Sequence, residues 1–282
     1  MKVIINADDL GINPEVNACI EQFINTGAIS SSSILANGKA FDLVPDIVRR
    51  HPNVSFGVHL NLSEFESLTK SPIFVKYGMT DKDGVFIKGA INNVCFTKEL
   101  KNAIYEEWRA QILKIQKTGI SISHIDGHHH CHAQPELYNV LKRLANNFGI
   151  KGIRQNRVYS AFFMKRKLYV GNNGMKSDDY QNNPNNPSFW RKINNAIKIR
   201  IWHYRTKFDF TTTDIFLSYD SFIRKFDAIR NKKHIKVELM CHPGHPKYEG
   251  ESELLLNNAQ NQKPLYDLIS YFELKTKSQT SS

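Results

Sequence analysis

Between Ser123 and Ala133 the chain reads HIDGHHHCH, placing His124, Asp126, His128, His129, His130 and His132 within nine residues directly after an apolar run. Imidazoles and carboxylates together are ligands for a divalent cation, and a catalytic site of this kind keeps coordination positions open. If the two-residue alternation of a strand continues through the motif, Asp126, His128 and His130 share a face and aim two imidazoles and a carboxylate at one point. The alternative is a solvated histidine-rich loop.

Further groups of the same chemical type follow other apolar runs. In NADDLG, residues 6–11, Asp8 and Asp9 are adjacent carboxylates whose repulsion must be relieved by a cation or a shared proton. The functional reading gives them separate tasks, one binding metal and the other taking a proton from water, and spacing does not decide which does which. A solvated helix cap ahead of Pro14 is the alternative. In GVHLNL, residues 57–62, His59 ends an apolar stretch and Asn61 stands two residues on; Asp9 and His59 are thus the natural partners for the histidines near 128. In ELMCHPGH, residues 238–245, Pro243 and Gly244 force a turn that holds His242 at a strand end, where it suits a general acid; His245 follows one turn later.

These groups must be gathered by elements far apart in sequence. Strand-like runs occur at 3–7, 29–36, 55–62, 121–126, 152–155, 211–217 and 235–241, with an eighth candidate at 268–272. Helical periodicity is clearest in 14–26, 97–117 and 135–148, with Pro14 and Pro135 where a first turn tolerates proline. The alternation predicts an α/β fold with a parallel sheet, a TIM-barrel-like (β/α) barrel, complete or slightly broken, with loop insertions at its C-terminal mouth. Asp8, Asp9, His59, Asn61, Asp126, His128, His130, Arg154 and His242 then all lie at C-terminal strand ends. Residues 72–96 read as a lid over one end, and Asn182 to Ser188 as an inserted polar loop.

The 282 residues, 41% of them hydrophobic, suffice for a substantial core, and a single domain over 1–275 with a disordered tail at 276–282 is expected. Four scattered cysteines without a CxxC pair, no apolar stretch suited to a secretory leader and no run of membrane-spanning length point to a cytoplasmic protein without membrane contact. The formal charge of +11 is concentrated in residues 151–236, where 19 Lys and Arg stand against 6 Asp. Solvated helix faces account for such a surplus as readily as a nucleic-acid surface does.

Taken together, NADDLG, GVHLNL, HIDGHHHCH and ELMCHPG, in that order, resemble the YdjC/ChbG family of carbohydrate deacetylases, with supporting similarity at SSSILAN, at Arg154 and at TTDIF. The resemblance implies a TIM-barrel-like fold, one divalent cation, Mg2+ or Zn2+, and removal of acetyl groups from N-acetylated sugars such as chitooligosaccharides. It implies Asp9, His59 and His128 as metal ligands, Asp8 as proton acceptor and His242 as acid. Asn61, Asp126, His130 and Arg154 are expected at the substrate. Residues 156–209 depart from the family pattern in being basic and Asn-rich, and the region 257–265 is shortened. The expected partner is a small N-acetylated sugar or oligosaccharide, nucleic acid is disfavoured, and a homodimer is an open oligomeric state. Two rivals remain: a metal-dependent phosphoesterase, and a polyanion-binding protein with a structural metal.

Overall fold

The apolar run after Met1 forms β1 (Lys2–Leu10), buried along all but its first residue, as befits a strand covered on both faces. The structure, a computed structural model, describes residues 1–155, 189–223, 234–261 and 266–274. Beside β1 lie β2 (Ser31–Ile34), β3 (Ser55–Leu60), β4 (His124–Gly127), β5 (Gly152–Ile153), β6 (Ile215–Ser218) and β7 (Lys236–Cys241). They form one parallel sheet in the order β5-β4-β3-β2-β1-β7-β6. The outer strands approach each other through a bridge between Gly152 and Thr211, where Ile153 N donates to Thr211 O and Thr211 N donates to Lys151 O. The architecture is an α/β incomplete barrel with surrounding helices, as the alternation of elements predicts.

Among the described residues the helices include α1 (Pro14–Asn25), α2 (Val44–Arg50), α3 (Pro72–Lys76), α4 (Lys98–Gln116), α5 (Tyr138–Phe148), α6 (Phe189–Asp209) and α7 (Glu249–Asn261). Asn13 caps α1 by accepting from Val16 N, with Pro14 at the first helical position where its missing N–H costs nothing. Thr97 caps α4 in the same way through Leu100 N. The α4 face toward β3 carries two buried polar residues that secure the following loop. Glu107 accepts from the backbone N–H groups of Leu68 and Thr69, and Gln111 bonds both the N–H and the C=O of Asn61.

One close approach explains a glycine in the GVHLNL motif. A Cβ on Gly57 would lie 2.4 Å from the ring of His124, which stacks on Tyr271 with centroids 3.8 Å apart. Burial pushes the His124 imidazole down to about 3, so a neutral ring fills this space.

The eighth strand is shorter than the sequence reading. β8 covers only Asp267–Leu268, paired with Lys2 and Val3 of β1, and the chain then turns into a 3-10 segment at Tyr271–Glu273. Ser270 and Glu273 form a reciprocal capping box that stops the extended run. Residues 72–96 carry α3, a short antiparallel turn around Thr80–Phe86, and their own buried anchors Phe74, Met79, Phe86 and Ile91. The polar loop 182–188 and the tail 276–282 lie outside the described residues, as do much of the basic segment and part of 257–265.

Candidate active site

Consecutive side chains of a regular strand point to opposite faces, so Asp8 and Asp9 can share a site only where β1 is irregular. The register of β1 against β2 slips between Ala7 and Leu10, and Asp9 takes a left-handed backbone with φ of 72°. A bulge of this kind re-aims side chains, and the strain of a non-glycine residue there is of order 1–3 kcal/mol. Its effect is to direct the two carboxylates to different partners. Asp9 Oδ1 lies 2.8 Å from His128 Nδ1 and 3.3 Å from His59 Nε2. Asp8 accepts two N–H bonds from Arg154, at 2.8 and 2.7 Å, and one from Asn6 at 2.9 Å.

His59 is placed by sheet register. It stands directly opposite Asp126 on β4, and its Nδ1 donates to Asp126 Oδ1 at 2.7 Å. A carboxylate can only accept, so in the neutral ring Nε2 is left to present its lone pair toward Asp9. Asp126 in turn accepts from Ser33 Oγ at 2.6 Å and pairs with Arg154 at 2.8 Å. Arg154, wholly buried, also donates to Glu238, which accepts from the Tyr271 hydroxyl.

The donor atoms of Asp9, His59 and His128 lie within 4.8 Å of one another, and this set fits a cation. Ligands at about 2.1 Å from one ion lie about 3.0 Å apart in an octahedron and about 3.4 Å in a tetrahedron, close to the 2.8 and 3.3 Å that separate Asp9 Oδ1 from the two imidazole nitrogens. Although Asp9 Oδ1 is so close to both imidazoles, it is buried without a formed hydrogen bond. Three lone pairs aimed at a common point account for both facts. The charge balance agrees: the buried carboxylates Asp8, Asp126 and Glu238 share the guanidinium of Arg154, while the buried Asp9 faces the two imidazoles.

Without a cation, protons take up part of that imbalance. Burial opposes charge on His59, but Asp126 and Asp9 raise it to about 10; burial likewise opposes charge on His128, which Asp9 and Glu64 raise to about 9. Asp9 is itself buried, yet the same two imidazoles hold it well below the usual carboxylate range. Cation binding must therefore displace protons, and affinity must rise with pH up to these values, because the competing imidazolium forms disappear as pH increases. Calorimetry between pH 7 and 8, in buffers of different ionisation enthalpy, should register release of about two protons per cation. Binding without proton release and with pH-independent affinity would contradict this ligand set.

His242 leaves β7 next to Asp8, since Cys241 pairs with Ala7. Its ring stacks on Tyr248 with centroids 4.4 Å apart, its backbone N–H donates to Glu251 Oε2, and its Nδ1 faces the same carboxylate at 3.7 Å.

The geometry alters the expected alternation through the histidine-rich motif. The alternation that puts Asp126, His128 and His130 on one face ends at Gly127: residues 128–133 form a 3-10 segment with His129 and His130 left-handed. His128 turns to Asp9, while the His130 ring packs edge-on against Phe216. Asn61, Asp126 and Arg154, expected at the substrate, are all wholly buried, with their polar atoms engaged by protein groups. Sequence reasoning missed Glu64, Glu238 and Glu251. A lone Glu238 inside the apolar KVELMC strand is a signal that a buried cation partner exists; Glu64, in the polar stretch SEFES, offers none.

The family model for YdjC-like protein matches residues 2–276. The chain belongs to the YdjC-like family. Carbohydrate deacetylases similar to this YdjC-like chain include one from Listeria monocytogenes serotype 4a, 36% identical over 165 residues, 57% of this chain and 64% of that protein. Another, from Brevibacillus brevis, is 30% identical over 151 residues, 53% of this chain and 58% of that protein. The chain thus matches somewhat less than two thirds of the length of these curated relatives. A crystal structure from Enterococcus faecalis V583, provisionally described as a cellobiose-phosphate cleavage protein, shares the fold with a TM-score of 0.68 at 21% identity, covering 97% of this chain and 98% of that one.

Proposed function

We propose that this YdjC-like chain is a divalent-cation-dependent hydrolase that removes the acetyl group from N-acetylated sugars, in the class of chitooligosaccharides and N-acetylglucosamine derivatives. The observation that carries this reading is the convergence of Asp9 Oδ1, His59 Nε2 and His128 Nδ1 beside a second carboxylate, Asp8, that is bonded to Arg154 and Asn6. The naming of relatives as carbohydrate deacetylases supports the substrate class.

Asp9, His59 and His128 would hold a Mg2+ or Zn2+ ion, which when bound would supply Lewis acidity toward the acetyl carbonyl and toward water. Asp8 is the proton acceptor. A carboxylate offers roughly four lone-pair positions, and three of those on Asp8 are taken by Arg154 and Asn6, leaving one on Oδ2. Arg154 and Asp126 are positioning residues in this account, the first orienting Asp8 and the second fixing the His59 tautomer. His242, steadied by Tyr248 and Glu251 on the adjoining strand end, gives a proton to the departing amine, which leaves poorly as an anion. The single-domain extent of 1–275 and a cytoplasmic location belong to the same proposal; among the described residues no helix is long and apolar enough to cross a membrane.

Acetate release from a panel of N-acetylglucosamine monomers and oligomers, run beside phosphorylated chromogenic esters and a salt titration of polyanion binding, tests the reading. Acetate should appear from the sugars. Turnover of the phosphoesters alone would establish the phosphoesterase instead, and steeply salt-dependent polyanion binding without any turnover would establish the binding protein.

A further inference from the structure

We infer that Glu64 is a positioning residue for His128, the counterpart on the outer side of the site of what Asp126 is to His59. The inference deepens the proposed function and rests on its cation site. Metal-binding histidines hand their second ring N–H to a carboxylate or carbonyl, which fixes ring orientation and raises ligand basicity. His59 has that partner in Asp126. His128, 6% exposed, directs Nδ1 at Asp9, and its remaining nitrogen, Nε2, is buried without a formed hydrogen bond. Glu64 Oε2 stands 3.4 Å from that nitrogen. With Nδ1 committed to a cation, the neutral imidazole carries its proton on Nε2, the nitrogen that Glu64 Oε2 faces.

The loop that presents Glu64 is built for fixed placement. Asn61 Oδ1 accepts from Glu64 N at 3.3 Å, and Asn61 Nδ2 donates to Glu64 O at 2.6 Å, so one buried side chain clamps both backbone groups of residue 64. Asn61 is itself locked by Gln111 of α4 through its own N–H and C=O. At the other end of the carboxylate, Lys88 Nζ donates to Glu64 Oε1 at 2.8 Å, and His129 Nε2 lies 3.8 Å from the same oxygen. Lys88 belongs to the 72–96 segment, so this contact ties that segment to a metal ligand. The GVHLNL motif thereby gains a role for its asparagine: it sets the direction of the residue that steadies His128.

The test is equilibrium binding of Zn2+ and of Mg2+ alone to the full chain, for the wild type, Glu64→Ala, Glu64→Gln and the control Glu66→Ala. Glu66 lies on the same loop with its side chain half exposed and paired with Lys70. Loss of an outer carboxylate of this kind weakens cation binding by about 10–100-fold, and Glu64→Ala should fall in that range with an unchanged circular dichroism spectrum. Glu64→Gln, which still accepts the Nε2 proton, should recover part of the loss, and Glu66→Ala should bind as the wild type does. Glu64→Ala binding as tightly as the wild type overturns the inference and leaves the cation site standing. Equal weakening in Glu64→Ala, Glu64→Gln and Glu66→Ala also overturns it, because a general loosening of the loop would then be the cause. A wild type that binds neither cation overturns the proposed function, and this inference with it.

Discussion

In an Asp8→Asn variant, kcat for acetate release falls by about 10²–10⁴-fold, the usual contribution of a positioned general base, while the cation stays bound. The expectation follows from the different partners of the two neighbouring carboxylates. Asp9 Oδ1 faces His59 and His128, and Asp8 faces Arg154 and Asn6, so removing the charge at 8 leaves the cation ligands untouched. Asparagine keeps the shape of the side chain and can still accept from Arg154 through its one carbonyl oxygen, but it cannot take a proton from water. Steady-state kinetics together with cation stoichiometry check the split. Loss of the cation along with activity would make Asp8 a ligand and reverse the assignment.

The second large effect is on stability. Arg154→Leu removes the one guanidinium that Asp8, Asp126 and Glu238 share, and leaves those carboxylates buried together around the space beside Phe216. Breaking a single buried ion pair typically costs about 3–5 kcal/mol, a large part of the 5–15 kcal/mol that usually separates folded from unfolded states. Denaturant unfolding should show a loss at least that large, or no soluble protein at all. Arg154→Lys keeps the positive charge but not the two-pronged contact with Asp8, and it should lose less. A loss below about 1 kcal/mol in Arg154→Leu, a value typical of exposed pairs, would mean that the carboxylate cluster is not organised by this residue.

Much of this arrangement is written in the sequence, and the reasons differ from residue to residue. The strands are legible because parallel strands buried on both faces read as near-continuous apolar runs, and β1, β3 and β7 do so with few polar interruptions, Asn6 and Glu238 among them. Their polar terminators, Asp8 and Asp9, His59, and His242, mark the mouth for the same reason. What the sequence hides is backbone irregularity. The separate directions of Asp8 and Asp9 depend on the slip in register and the left-handed Asp9, and nothing in the letters DD specifies a bulge. The same holds at 128–133, where a period of two fails because the strand has already given way to a 3-10 segment. Long-range pairs are hidden as well. Arg154 reads as a residue at a C-terminal strand end, and its partners Asp8, Asp126 and Glu238, from three other strands, are not legible from its position. Only the rarity of a glutamate within an apolar strand hints at that pairing.

The central claim, that Asp9, His59 and His128 hold one divalent cation on which amide hydrolysis depends, is tested most directly by titrating cation back into chelator-stripped chain while acetate release from an N-acetylglucosamine oligomer is followed. The account predicts no acetate from the stripped chain, recovery in proportion to bound cation, and saturation at one cation per chain, with neither binding nor recovery in His128→Ala. Full turnover by the stripped chain, or full cation binding and turnover by His128→Ala, would contradict it.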